Sequence, residues 1–61
     1  MLCEKIRRLR RERAMTQGEL AEMLGVTQQA VAKWEAGRAL PELDKIHQLA
    51  EVFDVSADCL L

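Results

Sequence analysis

The sequence has few of the residues that build catalytic, metal or cofactor sites. It contains a single histidine, His47, and no second metal ligand stands at a useful spacing from it. A glycine-rich phosphate loop, a nucleophile motif and a plausible pair of catalytic carboxylates are also missing. A chain of 61 residues buries only about 60% of its unfolded surface, which leaves room for one thin core. We therefore predict no enzyme, no metal site and no cofactor.

Long apolar runs and a cysteine framework are absent as well. No segment approaches the roughly 20 apolar residues that cross a bilayer, and the basic amino terminus lacks the apolar stretch of a signal peptide. Cys3 and Cys59 are too few for a disulfide framework or a zinc site. We predict a reduced thiol pair in a cytoplasmic protein without a membrane partner, and a single bridge between the chain ends is the alternative.

Charge is unevenly distributed along the chain, although the formal net charge is only −1. Residues 1–14 hold six basic and two acidic side chains, whereas residues 37–61 hold two basic and five acidic ones. A basic patch attracts phosphate even when the total charge is slightly acidic, but the low total predicts weak non-specific binding at physiological salt. The arginines predicted to form a solvated face with long-range influence are Arg7, Arg8, Arg11 and Arg13.

The most informative segment covers residues 17–36 and the threonine before it. Thr16 and Glu19 have the spacing of a capping box, which starts a helix. Gly25 stands where that helix must end, because glycine adopts the left-handed conformation at little cost. Thr27 can then cap a second helix. The segment predicts a helix-turn-helix corner over about residues 17–36, whose second helix fits a DNA major groove.

Helical spacing predicts which side chains of this corner face outward. The residues predicted to face the core are Leu20, Ala21, Leu24, Val31 and Trp34. Gln28 and Gln29 are left outside, and glutamine can pair with adenine through two hydrogen bonds. Lys33 lies further along the same face and can reach a guanine or a phosphate. We predict base contacts for Gln28, Gln29 and Lys33; the alternative is that they are ordinary solvated residues.

Three more helices are predicted around the corner, within one compact all-α domain over residues 1–61. The first covers residues 2–13, another follows Pro41, and a short final turn has Ser56 as its cap. The side chains that repeat at helical spacing and are predicted to face the core are Leu2, Ile6, Leu9, Leu43, Ile46, Leu49, Ala50 and Phe53.

The pattern as a whole resembles the helix-turn-helix domain of the phage repressor and Cro superfamily, also called the XRE-like family. The matching positions are 6–10, 16–17, 20–21, 24–26, 31, 34–35, 37–38, 40–41, 49–50 and 55–61. The resemblance covers nearly the whole chain without an insertion. It implies a compact five-helix, lambda-repressor-like DNA-binding domain.

The resemblance also implies contacts with the DNA backbone. Gln17 matches a glutamine that binds a phosphate, Thr27 stands at a phosphate-facing helix start, and Arg38 stands where the family often has a basic residue. Arg10 and Glu35 match an arginine–glutamate pair that ties the first helix to the recognition helix, so we interpret that pair as mainly structural. The predicted phosphate contacts are Gln17, Thr27, Arg38 and Arg10.

Two functions follow from these features. The first is a transcriptional regulator, a repressor, that inserts recognition helix 28–36 into the major groove of a double-stranded operator. One module recognises only about 4–6 base pairs, so we expect a homodimer on a pseudo-palindrome with half-sites about 34–36 Å apart. The expected dimer contact is an apolar surface around Val55, Leu60 and Leu61, and the alternative is a contact through residues beyond a truncated end. The alternative is a protein-binding module of antitoxin or anti-repressor type on the same fold, and the outward Gln-Gln-Lys pattern favours the first function.

Overall fold

The computed structural model describes all 61 residues, and it has five helices and no strand. The helices are α1 (Leu2–Glu12), α2 (Gln17–Leu24), α3 (Gln28–Glu35), α4 (Leu43–Phe53) and α5 (Ala57–Leu60). The predicted all-α, five-helix architecture is confirmed, and the domain measures 24 × 23 × 19 Å. None of these helices has the length and apolar character that a membrane span requires. Cys3 and Cys59 are both free thiols.

One apolar core lies between the helices, and every helix contributes to it. Its 12 buried side chains are Ile6, Leu9, Leu20, Ala21, Leu24, Val31, Trp34, Ile46, Leu49, Ala50, Phe53 and Leu60. α3 packs against α1 and α2, and α4 packs against α2 and α5. Full burial of one such large side chain stabilises by about 1.5–3 kcal/mol. The core therefore fixes the corner from beneath and leaves the outer side of α3 free.

Two predictions about leucines are wrong. Leu43, predicted to face the core, is 63% exposed. It is the first residue of α4, and helical side chains tilt toward the amino terminus, so Leu43 points past the end of its helix. Leu60, predicted to belong to a dimer surface, is only 1% exposed. The four-residue α5 turns this side chain into the core and leaves Leu61 outside.

Threonine side chains begin both helices of the corner. The Glu19 amide donates to Thr16 Oγ1 at 3.0 Å, and the Thr16 amide donates to Glu19 Oε1 at 2.8 Å. The predicted capping box is therefore confirmed. The Ala30 amide likewise donates to Thr27 Oγ1 at 3.1 Å, and each such cap contributes about 1 kcal/mol. Ser56 occupies the cap position of α5, but its hydroxyl makes no capping hydrogen bond.

Four helices end with the same left-handed closure. The residues with positive φ are Ala14 (54°), Gly25 (70°), Gly37 (74°) and Asp54 (56°). After α1, for example, the Ala14 amide donates to the Arg11 carbonyl at 3.0 Å and the Met15 amide donates to the Arg10 carbonyl at 3.1 Å. This pair of bonds is the Schellman motif, which satisfies carbonyls that a helix end leaves free. Only α2 and α3 use glycine for it.

Exchanging alanine and glycine at two of these closures is expected to change stability in opposite directions. Ala14→Gly should raise the free energy of unfolding by about 0.5–1 kcal/mol, because it removes the left-handed strain of a Cβ. Gly25→Ala should lower the free energy of unfolding by about 1–2 kcal/mol. This variant measures backbone strain without a steric clash, because an added Cβ meets no atom within 4 Å. Urea unfolding monitored by circular dichroism measures both; a loss of stability in both variants would contradict the argument.

Candidate nucleic-acid interface

The outer side of α3 presents the three residues that were predicted to contact bases. Gln28, Gln29 and Lys33 are all exposed, whereas Val31 and Trp34 on the opposite side are buried in the core. Two turns of helix thus carry two amides and one ammonium group on a single solvent-facing side. The two amides can donate to and accept from base edges, and the ammonium group can donate to them. The structure brings the three residues together; their contacts with bases stay a prediction.

A buried carboxylate joins α3 to the helices on either side of it. Glu35, the last residue of α3, is the one buried polar or charged residue of the chain. Arg10 of α1 donates from Nε to Glu35 Oε2 at 2.6 Å and from Nη2 to Glu35 Oε1 at 3.0 Å. Its Nη1 also donates to the Met15 carbonyl at 2.7 Å. The predicted Arg10–Glu35 pair is confirmed, and its two parallel bonds fix the position of α3 relative to α1.

Gln17, the first residue of α2, meets the same carboxylate. Its Nε2 donates to Glu35 Oε1 at 3.2 Å. Burial disfavours the charged form of Glu35, but the hydrogen bonds from Arg10 and Gln17 and the charges of Arg10 and Arg7 outweigh it and hold its pKa below the usual range. The hydrogen bond to Glu35 in turn raises the pKa of Arg10. Both partners are therefore charged at neutral pH.

The residues predicted to contact phosphates have different surroundings. Thr27 and Arg38 are exposed at the two ends of α3, and Gln17 is half-buried at the start of α2. Arg10, by contrast, has a side chain only 11% exposed, and three of its nitrogen atoms bind protein oxygens. This geometry favours a structural role for Arg10. All four phosphate contacts stay predictions.

Arg7 of α1 and Arg13 just after that helix are exposed, as predicted, and they also make specific contacts within the domain. Arg7 Nη2 donates to the Glu35 carbonyl at 3.1 Å. Arg13 donates to the Phe53 carbonyl, and its guanidinium lies over the Phe53 ring, 5.4 Å from the centroid. Arg7 and Arg13 lie three residues before and after Arg10, so all three share one side of the helix. That spacing, next to inward-facing Ile6 and Leu9, indicates that these arginines border the core, but it does not identify the carbonyls that they reach.

Lys45 of α4 makes a contact that no sequence pattern indicates. Its Nζ donates to the Leu24 carbonyl at 3.1 Å and to Gln48 Oε1 at 3.3 Å. Leu24 is the last residue of α2, where a positive charge interacts favourably with the helix dipole. Lys45 thus ties α4 to the turn between α2 and α3.

Sequence comparison places this arrangement among known proteins. A helix-turn-helix family matches residues 6–58. The chain is 38% identical over 61 residues to the uncharacterized HTH-type transcriptional regulator YobD of Bacillus subtilis, which covers all of this chain and 54% of that protein. It is also 38% identical over 58 residues to the HTH-type transcriptional activator BcrR of Enterococcus faecalis, covering 95% of this chain and 28% of that protein. The chain therefore spans about half of YobD and less of BcrR.

Solved structures agree with the sequence comparison. The P22 c2 repressor protein in complex with a synthetic operator superposes with a TM-score of 0.94 at 30% identity, covering 100% of this chain and 92% of that one. SinR, described as the master regulator for biofilm formation and solved in complex with DNA, superposes with a TM-score of 0.89 at 28% identity, covering 98% and 97% of the two chains. Both similarities extend over the whole five-helix domain.

Proposed function

Because the chain belongs to the helix-turn-helix family, we propose that it is a sequence-specific DNA-binding transcriptional regulator that inserts α3 into the major groove. One observation carries the proposal: Gln28, Gln29 and Lys33 are exposed on one side of α3, and Val31 and Trp34 brace that helix from the core. A B-DNA major groove, about 12 Å wide, admits an α-helix with its side chains. The proposal requires no catalytic step and no cofactor.

Within this proposal the two kinds of contact have different tasks. Gln28 and Gln29 hydrogen-bond adenine edges, and Lys33 reaches a guanine or a neighbouring phosphate. Gln17 and the residues at the ends of α3, Thr27 and Arg38, bind phosphates and so set the register on the duplex. Arg10 contributes mainly by fixing Glu35, and only secondarily through its own charge.

We further propose that the protein is a cytoplasmic repressor that binds a pseudo-palindromic operator as a homodimer. One domain recognises only about 4–6 base pairs, which two-fold symmetry doubles. The burial of Leu60 removes it from the expected dimer surface, so Val55 and Leu61 are the members that remain available. Relatives include both an activator and a repressor by name; repression is the simpler outcome, since occupation of an operator blocks transcription without another protein contact.

Selection of binding sites from random duplex DNA tests this function directly. The purified protein is expected to enrich a two-fold symmetric motif. Gln28→Ala should relax the preference at one position of each half-site by about 1–3 kcal/mol, whereas Gln48→Ala, the same change on α4, should leave the motif unchanged. Persistence of the motif in a variant that combines Gln28→Ala, Gln29→Ala and Lys33→Ala would refute the assigned recognition face. Absence of any enriched motif would favour the protein-binding alternative.

A further inference from the structure

Arg7 is attached to the end of α3 and yet remains accessible. Its Nη2 donates to the Glu35 carbonyl at 3.1 Å, and its Nε lies 3.9 Å from Glu35 Oε1. The side chain is nevertheless 46% exposed. A guanidinium has five N–H donors, so these two contacts leave others free to bind a second anion.

The charge around Glu35 is in excess of what the carboxylate needs. Arg10 alone neutralises Glu35 through two parallel hydrogen bonds, and Arg7 adds a second positive charge to the same carboxylate. Without Arg7, a neutral pair would stand at the junction of α1 and α3. With it, the junction carries one net positive charge, which attracts a phosphate.

Gln17 places a second donor beside this charge. Its Nε2 binds the same Oε1 atom of Glu35 that Arg7 approaches, and its amide nitrogen carries a second hydrogen. Arg7 and Gln17 therefore flank one oxygen between the end of α3 and the start of α2. Because Glu35 already orients both side chains, little side-chain freedom is lost when they bind an anion.

We propose that Arg7, together with Gln17, binds a backbone phosphate of duplex DNA at this junction. The inference rests on the proposed function and adds Arg7 to its binding surface. The other exposed arginines in and just after α1 do not contact α3, and Arg13 binds the Phe53 carbonyl of α4. Arg8 pairs only with Glu12 on its own helix, at 3.9 Å between two exposed side chains, and Arg11 is exposed. Of these exposed arginines, only Arg7 is bonded to α3.

Arg7→Gln and Arg8→Gln form a matched pair, because each removes one positive charge from the same helix. Binding to the selected operator and to random duplex is measured over a range of salt concentrations, with thermal unfolding of each variant recorded in parallel. Arg7→Gln is expected to weaken binding to both DNAs about tenfold, as for loss of a hydrogen bond to a charged group. It should also reduce the slope of log affinity against log salt by about 1. Arg8→Gln should change the slope by less than half as much.

Equal slopes and equal affinities in the two variants would overturn the proposal, because long-range attraction alone would then explain the effect of Arg7 on DNA binding. If Arg7→Gln does not fold, Arg7→Lys against Arg8→Lys decides: a lysine keeps the charge but loses the fork of donors. Only Arg7→Lys should then weaken DNA binding. Equal affinities of Arg7→Lys and Arg8→Lys would reject the contact between Arg7 and a phosphate. Failure of the unmodified protein to bind any duplex would instead overturn the proposed function, so the two failures are distinguishable.

Discussion

Glu35→Ala is expected to lower the free energy of unfolding by about 3–5 kcal/mol, the cost of leaving one partner of a buried ion pair without the other. The charge left behind is that of Arg10, whose side chain is almost completely enclosed. Gln17 also loses a hydrogen-bond acceptor, and Arg7 loses the negative charge beside it. Small domains rarely have more than about 3–5 kcal/mol of net stability, so this variant should be largely unfolded at 25 °C. Chemical denaturation monitored by circular dichroism measures the loss.

A double variant separates the buried charge from the packing around it. Arg10→Met combined with Glu35→Leu removes both charges and fills the site with apolar side chains of similar volume. Such a replacement of a buried ion pair is often neutral or stabilising. We expect it to recover most of the stability that Glu35→Ala loses. A double variant as unstable as Glu35→Ala would show that the loss comes from packing or from Gln17 and not from an unpaired charge.

The same comparison gives a pH dependence with a definite sign. Because the pKa of Glu35 is lower in the folded protein, its ionised form stabilises the fold above the unfolded pKa of about 4.3. This contribution is lost as the pH falls below that value and through the folded pKa. The midpoint temperature of thermal unfolding should therefore fall more steeply between neutral and acidic pH for the unmodified protein than for the Arg10→Met, Glu35→Leu variant. Parallel curves would contradict the assignment.

Leu49→Ala is expected to lower the free energy of unfolding by about 2–5 kcal/mol, because it removes three carbons from a filled site and leaves a cavity. Leu49 lies in the middle of α4 and is completely buried. In a core of 12 residues there is little surrounding material that can move in to close the gap. A shift of the urea midpoint measures the effect.

Leu43→Ala is the matched control for that change. It is the same substitution on the same helix, but Leu43 is mostly exposed, so its effect should remain within about 0.5 kcal/mol. Similar losses from the two variants would mean that Leu43 packs against the core, as its spacing alone had predicted. The two variants make the same substitution on the same helix, so a difference in stability between them reports the effect of burial.

Local signals predicted the corner well, because each depends on few residues. The Thr16 capping box and the Gly25 closure are set by neighbours within one turn, and both were predicted correctly. Leu43 and Leu60 were predicted wrongly, because spacing gives a side chain's angle around a helix but not whether anything lies beyond the helix end. Ala14 gave no signal either, since alanine seldom closes a helix in the left-handed conformation.

The candidate interface was predictable to a similar extent. The outward position of Gln28, Gln29 and Lys33 follows from the inward position of Val31 and Trp34, and the structure has both. The contacts of Arg7 join positions 28 residues apart, and no pattern within one helix specifies which distant carbonyl a flexible arginine reaches. Base and phosphate contacts depend on a partner molecule, so sequence reasoning leaves them as predictions.

Lys45 has a consequence for any attempt to graft the corner onto another scaffold. The turn between α2 and α3 is held from outside by Nζ of this lysine, and the apolar undersides of both helices rest on α1 and α4. A peptide limited to the two corner helices would lose these supports, and isolated helices of eight residues are unstable in water. Altered target preference is therefore better obtained by exchanging exposed α3 side chains in place, where substitutions cost little stability.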